Sequence, residues 1–182
     1  MKKFKLLISV IIIATLLSGC AFIPNKLANK QENDNVIFAI SDYNMQLTAD
    51  SEFKKAEQES EWDLQITDNN VYLSVMAYKS IDLNENQSPE DAYDAQNKEL
   101  FEKRDNVSVI IKKNTEISED KIIIHTRYSA ESEVGKNYYD SFLVNFPEKE
   151  TFAWILVSGV PSVIENYTEK VEDMVFSLAV VE

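Results

Sequence analysis

The sequence predicts an α+β domain: a mainly antiparallel sheet of about six strands with helices packed on its faces. Three observations carry this. Short segments alternate apolar and polar residues with a period of two, the mark of half-buried strands. Two longer stretches, residues 88–104 and 161–178, repeat apolar residues at helical spacing instead. Two of the strand segments, "KNYYDSFLVNF" from Lys136 and "TFAWILVSG" from Thr151, are apolar on both sides and therefore need cover on both sides.

In chain order, alternation begins at Val36 and predicts strands over residues 36–41 and 44–48, followed by a polar stretch, residues 49–60, with no clear period. "WDLQIT" puts Trp62, Leu64 and Ile66 on one face of a strand. The turn "DNN" at Asp68 follows, rich in residues that tolerate left-handed backbone angles. It leads into "VYLSVMAY", where Val71, Leu73, Val75 and Ala77 share a face and Tyr72, Met76 and Tyr78 share the other. That second face either packs under a helical layer or forms an exposed sticky patch.

"SPEDAYDAQNKELFEKR" carries a full set of helix signals. Ser88 caps, Pro89 suits the first turn, Glu90 and Asp91 suit the positive end, and Lys103 and Arg104 the negative end. Tyr93, Leu100 and Phe101 mark its inward stripe. Strands return at "NVSVIIKK" from Asn106 and "KIIIHTRYS" from Lys121, ahead of the two doubly apolar strands. On those, Tyr138, Phe142, Val144 and Phe146 oppose Tyr139 and Leu143, while Phe152, Trp154 and Leu156 oppose Ala153, Ile155 and Val157. Such strands belong in the middle of the sheet. The closing helix, with Ile164, Tyr167, Val171, Val175 and Leu178 at helical spacing, supplies the second cover.

This layout resembles the PsbP-like fold: an opening hairpin, the pair around Trp62 and Tyr78, a helix, four strands and a closing helix followed by "FSL". The resemblance spans most of Val36 to Leu178 and rests on element order and length. It implies a layered sandwich that serves as a docking or stabilising module for other proteins rather than as a catalyst, with bacterial lipoproteins among its looser relatives. No functional residue carries over, because no motif matches residue by residue.

The amino-terminal end fixes the expected location. Lys2, Lys3 and Lys5 precede an apolar run from Leu6 to Leu17 that stops at Cys20, the sole cysteine. About a dozen residues are too few to cross a bilayer, which takes roughly 20, and a basic start, short apolar run and small residues are the order of a secretory signal. "LSGC", that is Leu17, Ser18, Gly19 and Cys20, resembles the bacterial lipobox, in which cleavage precedes a cysteine already joined to diacylglycerol. The resemblance implies a removed signal peptide over residues 1–19 and a lipidated Cys20 with palmitate-like chains; the aperiodic, Asn-, Lys- and Gln-rich stretch that follows predicts a flexible tether, so that residues 20–34 are the lipidated end and tether, and the length of residues 35–182 suits a single globular domain. Two acyl chains are what lasting membrane attachment requires. The competing expectation is an ordinary cleaved signal with an incidental cysteine.

The formal net charge is −13; loss of Lys2, Lys3 and Lys5 takes the 18 basic residues to 15 against 31 acids, a net charge of −16. Such a surface is repelled by nucleic acid phosphates and by anionic lipid head groups, so neither is an expected partner, and the lipid holds the domain to the membrane while its charge keeps it off the surface. Solubility alone accounts for that acidity; attraction of cationic peptides is the alternative. With one cysteine the chain forms no internal disulfide, so apolar burial must stabilise it.

Catalytic apparatus is scarce. His125, the sole histidine, lies beside Arg127 on the strand side opposite Ile122, Ile124 and Tyr128, where a surface or hydrogen-bonded role is expected over a catalytic one. One imidazole and no free thiol leave neither Cys/His catalysis nor a typical zinc site. Glycines are too few for a phosphate-cradling loop. Asp82, Asn84 and Glu85 lack the fixed glycine and terminal Glu of a helix-loop-helix calcium site. No catalytic residue, cofactor or metal is expected. The leading expectation is a lipid-anchored, extracytoplasmic, non-enzymatic module that binds or steadies a partner protein or peptide at the membrane. The alternatives are a lipoprotein that captures a cationic peptide, as a bacteriocin immunity factor would, and a carboxylate-dependent wall hydrolase.

Overall fold

The computed structural model describes residues 34–57, 61–132 and 135–181. Residues 1–33, where a signal peptide, the lipidated Cys20 and most of a tether are expected, lie outside them. Two antiparallel sheets and two helices make up the fold. A small sheet has the order β1–β2–β10, from β1 (Asn35–Ile40), β2 (Met45–Asp50) and β10 (Ala179–Val180). The large sheet has the order β3–β4–β5–β9–β8–β7–β6, from β3 (Lys54–Lys55), β4 (Leu64–Thr67), β5 (Tyr72–Lys79), β6 (Asp105–Ile117), β7 (Ile122–Ser132), β8 (Gly135–Phe146) and β9 (Thr151–Gly159). The helices are α1 (Pro89–Glu102) and α2 (Pro161–Ser177). The α+β class and the antiparallel pairing are as expected. The strand count is higher than about six: the large sheet has seven strands and the small one three. The extra strands are short ones, β3 and β10, which have too few residues to show a period.

The doubly apolar strands do sit in the middle, β9 with β8 beside it, and their two faces feed two separate cores. Phe142, Val144 and Phe146 of β8 and Ala153, Ile155 and Val157 of β9 join one core. That core is closed by Ile164, Val171, Met174 and Val175 of α2 and by Phe38, Ile40, Met45 and Leu47 of the small sheet. The opposite faces, with Tyr139, Leu143, Phe152, Trp154 and Leu156, meet Tyr93 and Phe101 of α1. Cover on each side is what makes a strand like β9 soluble, since seven of its nine residues are buried.

Local chemistry explains the helix ends. The Asp91 amide donates to Ser88 Oγ at 3.1 Å and the Ser88 amide to Asp91 Oδ2 at 2.9 Å, a reciprocal capping box, with Pro89 in the first turn. The turn after β4 is closed by Asp68, whose Oδ1 accepts the amides of Asn70 and Val71, while Asn69 takes a φ of 74°.

One facial assignment is corrected. Trp62 does not share a face with Leu64 and Ile66: β4 begins at Leu64, and the indole turns to the α1 side while Leu64 and Ile66 enter the α2 core. Alternation holds only where the backbone is in a ladder, and residue 62 precedes it. The polar stretch after Thr48 also hides a buried anchor, Phe53. At the far edge, β6 runs thirteen residues almost wholly exposed, and its pairing with β7 is broken by three register shifts. Among the described residues no helix is long and apolar enough to cross a membrane.

Candidate functional site

The face bearing Tyr72, Met76 and Tyr78 is partly covered. Helix α1 packs over Met76 and Tyr78, which are half-buried, and leaves Tyr72 exposed at the strand's start. Beside α1 a cleft of about 340 Å³ opens, floored by Met76, Trp154 and Leu100 and flanked by Trp62. Trp62 lies on Trp154 with ring centroids 5.0 Å apart and planes tilted by 38°, an offset aromatic contact. The rim carries Glu61 and Glu99 against Lys103 and Arg104, so the cleft is formally neutral in a strongly acidic chain.

A buried polar relay holds the floor. Trp154 Nε1 donates to Ser141 Oγ at 2.9 Å, and Ser141 Oγ donates to Asn97 Oδ1 at 2.6 Å. Tyr93 donates its hydroxyl to the Ser141 carbonyl at 3.0 Å. Ser141 and Asn97 are both buried, so these bonds are made without water competing and fix the indole's orientation. Asn97 Nδ2 has no partner among the described residues. Burial also pushes the Tyr93 hydroxyl up, so it stays a donor. Tyr78 behaves likewise: burial, then the Asp63 carboxylate, pushes it up to about 12, and its ring stacks on Phe152 while Gln96 donates to its oxygen. The floor of the cleft, Met76, Leu100 and Trp154 with Trp62 beside it, is thus apolar, and its charged residues stand at the rim.

The cations at the far end are themselves held. Arg104 donates to the Leu100 carbonyl and lies over the rings of Tyr139 and Phe101, 5.1 and 5.8 Å from their centroids. Lys103 meets Glu99 at 3.3 Å in an exposed pair of little energetic weight.

His125 is a hydrogen-bonded histidine on the other side of the sheet. Its Nε2 sits 2.8 Å from Asp140 Oδ1, and its ring stacks on Phe142 at 4.2 Å. Arg127 grips the same carboxylate through Nε at 2.6 Å and Nη2 at 2.8 Å, and reaches Thr168 of α2 at 3.2 Å. Since ionised Asp140 only accepts, His125 must donate its Nε2–H. Burial alone would raise the Asp140 carboxyl, but the hydrogen bonds from His125 and Arg127 prevail and hold it below the ordinary carboxylate range. This cluster faces α2, whereas the cleft faces α1, so His125 cannot serve the cleft.

Leu17, Ser18, Gly19 and Cys20 lie outside the described residues. Asp82 of the "SIDLNENQ" loop caps its own turn by accepting the Lys79 amide. Among the described residues no cluster of three or more metal-ligating side chains occurs. Sequence reasoning missed Asn97, Ser141 and Asp140. Their signal is a polar residue inside an apolar stripe: Asn97 between Tyr93 and Phe101 on α1, and Asp140 and Ser141 between Tyr139 and Phe142 on β8.

No protein-family model matches the chain, and no curated protein matches it in sequence. Solved structures do match in shape. The cyanobacterial PsbP protein (CyanoP) of Synechocystis superposes with a TM-score of 0.61 at 7% identity, covering 84% of this chain and 96% of that one. The fold is PsbP-like. The same PsbP-like architecture appears in LpqN of Mycobacterium tuberculosis, described as involved in cell envelope biogenesis, with a TM-score of 0.57 at 7% identity over 84% of this chain and 88% of that one. It appears again in the Ran-binding protein Mog1p of Saccharomyces cerevisiae, with a TM-score of 0.58 at 11% identity over 82% and 96%. At such identities the likeness is one of fold, and it agrees with the resemblance read from element order.

Proposed function

We propose that the chain is a lipoprotein held outside the cytoplasm through Cys20, and that its PsbP-like domain is a non-enzymatic module receiving an apolar or aromatic side chain of a partner polypeptide in the Trp62–Trp154 cleft. The observation that carries the reading is the cleft itself: a preformed notch beside a helix, with an apolar floor, a locked indole and a charged rim, is the build of a recognition pocket. Two of the shape neighbours carry names of the same kind, one Ran-binding and one tied to the cell envelope. Equal numbers of acids and bases at the rim favour shape and apolar burial over capture of a cationic peptide there.

The test is a photocrosslinking side chain at Gln96, on the rim, in intact cells. One dominant crosslinked protein, lost in Trp62→Ala and retained at raised salt, is the expected result. Crosslinks that persist in Trp62→Ala, or a product that disappears as salt rises, would overturn the cleft assignment. Location is checked separately by Cys20→Ser, which should abolish incorporation of labelled fatty acid and leave the longer, uncleaved precursor.

A further inference from the structure

Strand register brings one end of the large sheet into a single row. Lys79 lies opposite Thr151, Thr151 opposite Phe146, Asn145 opposite Ile122, and Ile122 opposite Ile117. Ile81 stands on the short helical turn that carries β5 past this row, and Ile117 ends β6. They are 86% and 75% exposed, the two most exposed large apolar residues among those described. Four strand steps of about 4.8 Å separate β5 from β6, so the two isoleucines stand about 19 Å apart across the end of the sheet.

A cleft of about 310 Å³ opens beside Ile81, walled by Tyr43 and Val180 of the small-sheet side. Thr151 shares the strand face of Ala153 and Ile155, the face on which Tyr43 and Val180 pack, so its side chain is directed to this cleft. It is 7% exposed, and its Oγ1 has no hydrogen-bond partner among the described residues. A buried hydroxyl without a partner costs free energy that an incoming donor or acceptor restores. The charges lining the cleft balance, Asp42 and Glu150 against Lys79 and Lys149. Those around it do not. Asp82 and Glu148 flank it, and Glu116, Glu119 and Asp120 surround Ile117, all of them exposed. Lys121 is buried and committed to the Phe176 and Leu178 carbonyls. Seven carboxylates therefore face three lysines, a net charge of −4. None of the seven makes an ion pair among the described residues, whereas Asp50, Glu52, Glu90 and Asp94 elsewhere are paired.

We propose that this end binds a short cationic amphipathic segment of a partner polypeptide. Its apolar side chains lie on Ile81, on the Tyr43 and Val180 wall and on Ile117, a polar group meets Thr151 Oγ1, and its lysines or arginines stand among the surrounding carboxylates. The distance between the isoleucines is the length of about 13 residues of α-helix at 1.5 Å each, so one such segment reaches both. Apolar contact supplies the affinity, while the unneutralised carboxylates select a basic partner and speed its arrival. Tyr43 and Val180 pack on the α2 core, whereas the Trp62–Trp154 cleft faces α1. This is therefore a second surface, independent of that cleft and of the Cys20 anchor.

The test titrates the full-length chain, nitrogen-15 labelled and held in nonionic detergent, with a helical leucine–lysine peptide of about 14 residues whose leucines form one face. Three results are expected: amide shifts confined to residues 42–44, 79–82, 116–120 and 148–151, binding that weakens as salt rises, and an affinity about tenfold lower in the Ile81→Ser, Ile117→Ser double variant. Both isoleucines are exposed, so that variant keeps the fold. Shifts centred on Trp62 and Trp154, shifts that never saturate, or an unchanged affinity in the double variant overturns the proposal. Equal binding of an oligolysine of the same charge overturns it too, because the isoleucines and the cleft then contribute nothing.

Discussion

Trp62 and Trp154 meet with ring centroids 5.0 Å apart although 92 positions separate them, and Trp62 reaches its partner only because it lies just outside β4 and turns away from Leu64 and Ile66. Both tryptophans of the chain thus sit in one cleft, which makes intrinsic fluorescence a direct report on it. Trp62→Ala should leave a folded domain, shift and weaken the emission, and lower stability by about 2 kcal/mol, since a half-buried indole loses both area and its ring contact. Trp62→Phe should retain most of that stability. Chemical denaturation followed by circular dichroism checks both.

Ser141 is the hub beneath the cleft. In Ser141→Ala, Trp154 Nε1 loses its acceptor and Asn97 Oδ1 its donor in a place water does not reach, so a loss of about 1–3 kcal/mol is expected. Ser141→Thr should recover part of it. Nitrogen-edited spectra of the Trp154 indole N–H should show a shifted, faster-exchanging proton in the alanine variant.

Asp140 gives the fold a defined response to acid. Its folded carboxyl lies below the ordinary range, so the stability it contributes is present above its unfolded value and is lost as pH falls through the folded one. The loss should begin near pH 4, where an unperturbed carboxylate titrates. Asp140→Ala should cost about 3–5 kcal/mol at neutral pH, because Arg127 is left charged, buried and unpaired. It should also flatten the stability profile below pH 5. Thermal melts of both proteins across that range check the sign.

The edge strand β6 exposes Val107, Val109 and Ile110, and three register shifts together with exposed Lys112 blunt it against pairing with other chains. Lys112→Val should leave the melting temperature of the dilute protein nearly unchanged yet raise light scattering with concentration. Unchanged scattering would assign the protection to the bulges alone.

Much of the architecture is legible in short stretches of the chain. The alternation in "VYLSVMAY", the two-sided apolarity of β8 and β9, and the Ser88–Asp91 capping box each lie within about a dozen residues, and each is realised in the fold. The strands β3 and β10 are not legible, because two residues cannot show a period. Trp62 departs from the face that alternation assigns it because the ladder begins only at Leu64. In the candidate site, Met76 and Tyr78 can be assigned to a face but not to a cover, and Asn97, Ser141 and Asp140 stand out only as polar interruptions of apolar runs.

Layering, helix ends and the two-cored plan follow from periodicity and capping, which are properties of near neighbours along the chain, and the sequence alone determined them. The lipobox-like start and the acidic balance are likewise matters of composition. Tertiary structure decided which polar interruptions meet: Ser141 finds Asn97 across 44 positions, and Lys121 reaches the Leu178 carbonyl across 57. A buried polar group is tolerable only once its partner arrives, and that partner is chosen by how strands and helices pack, which no local pattern encodes.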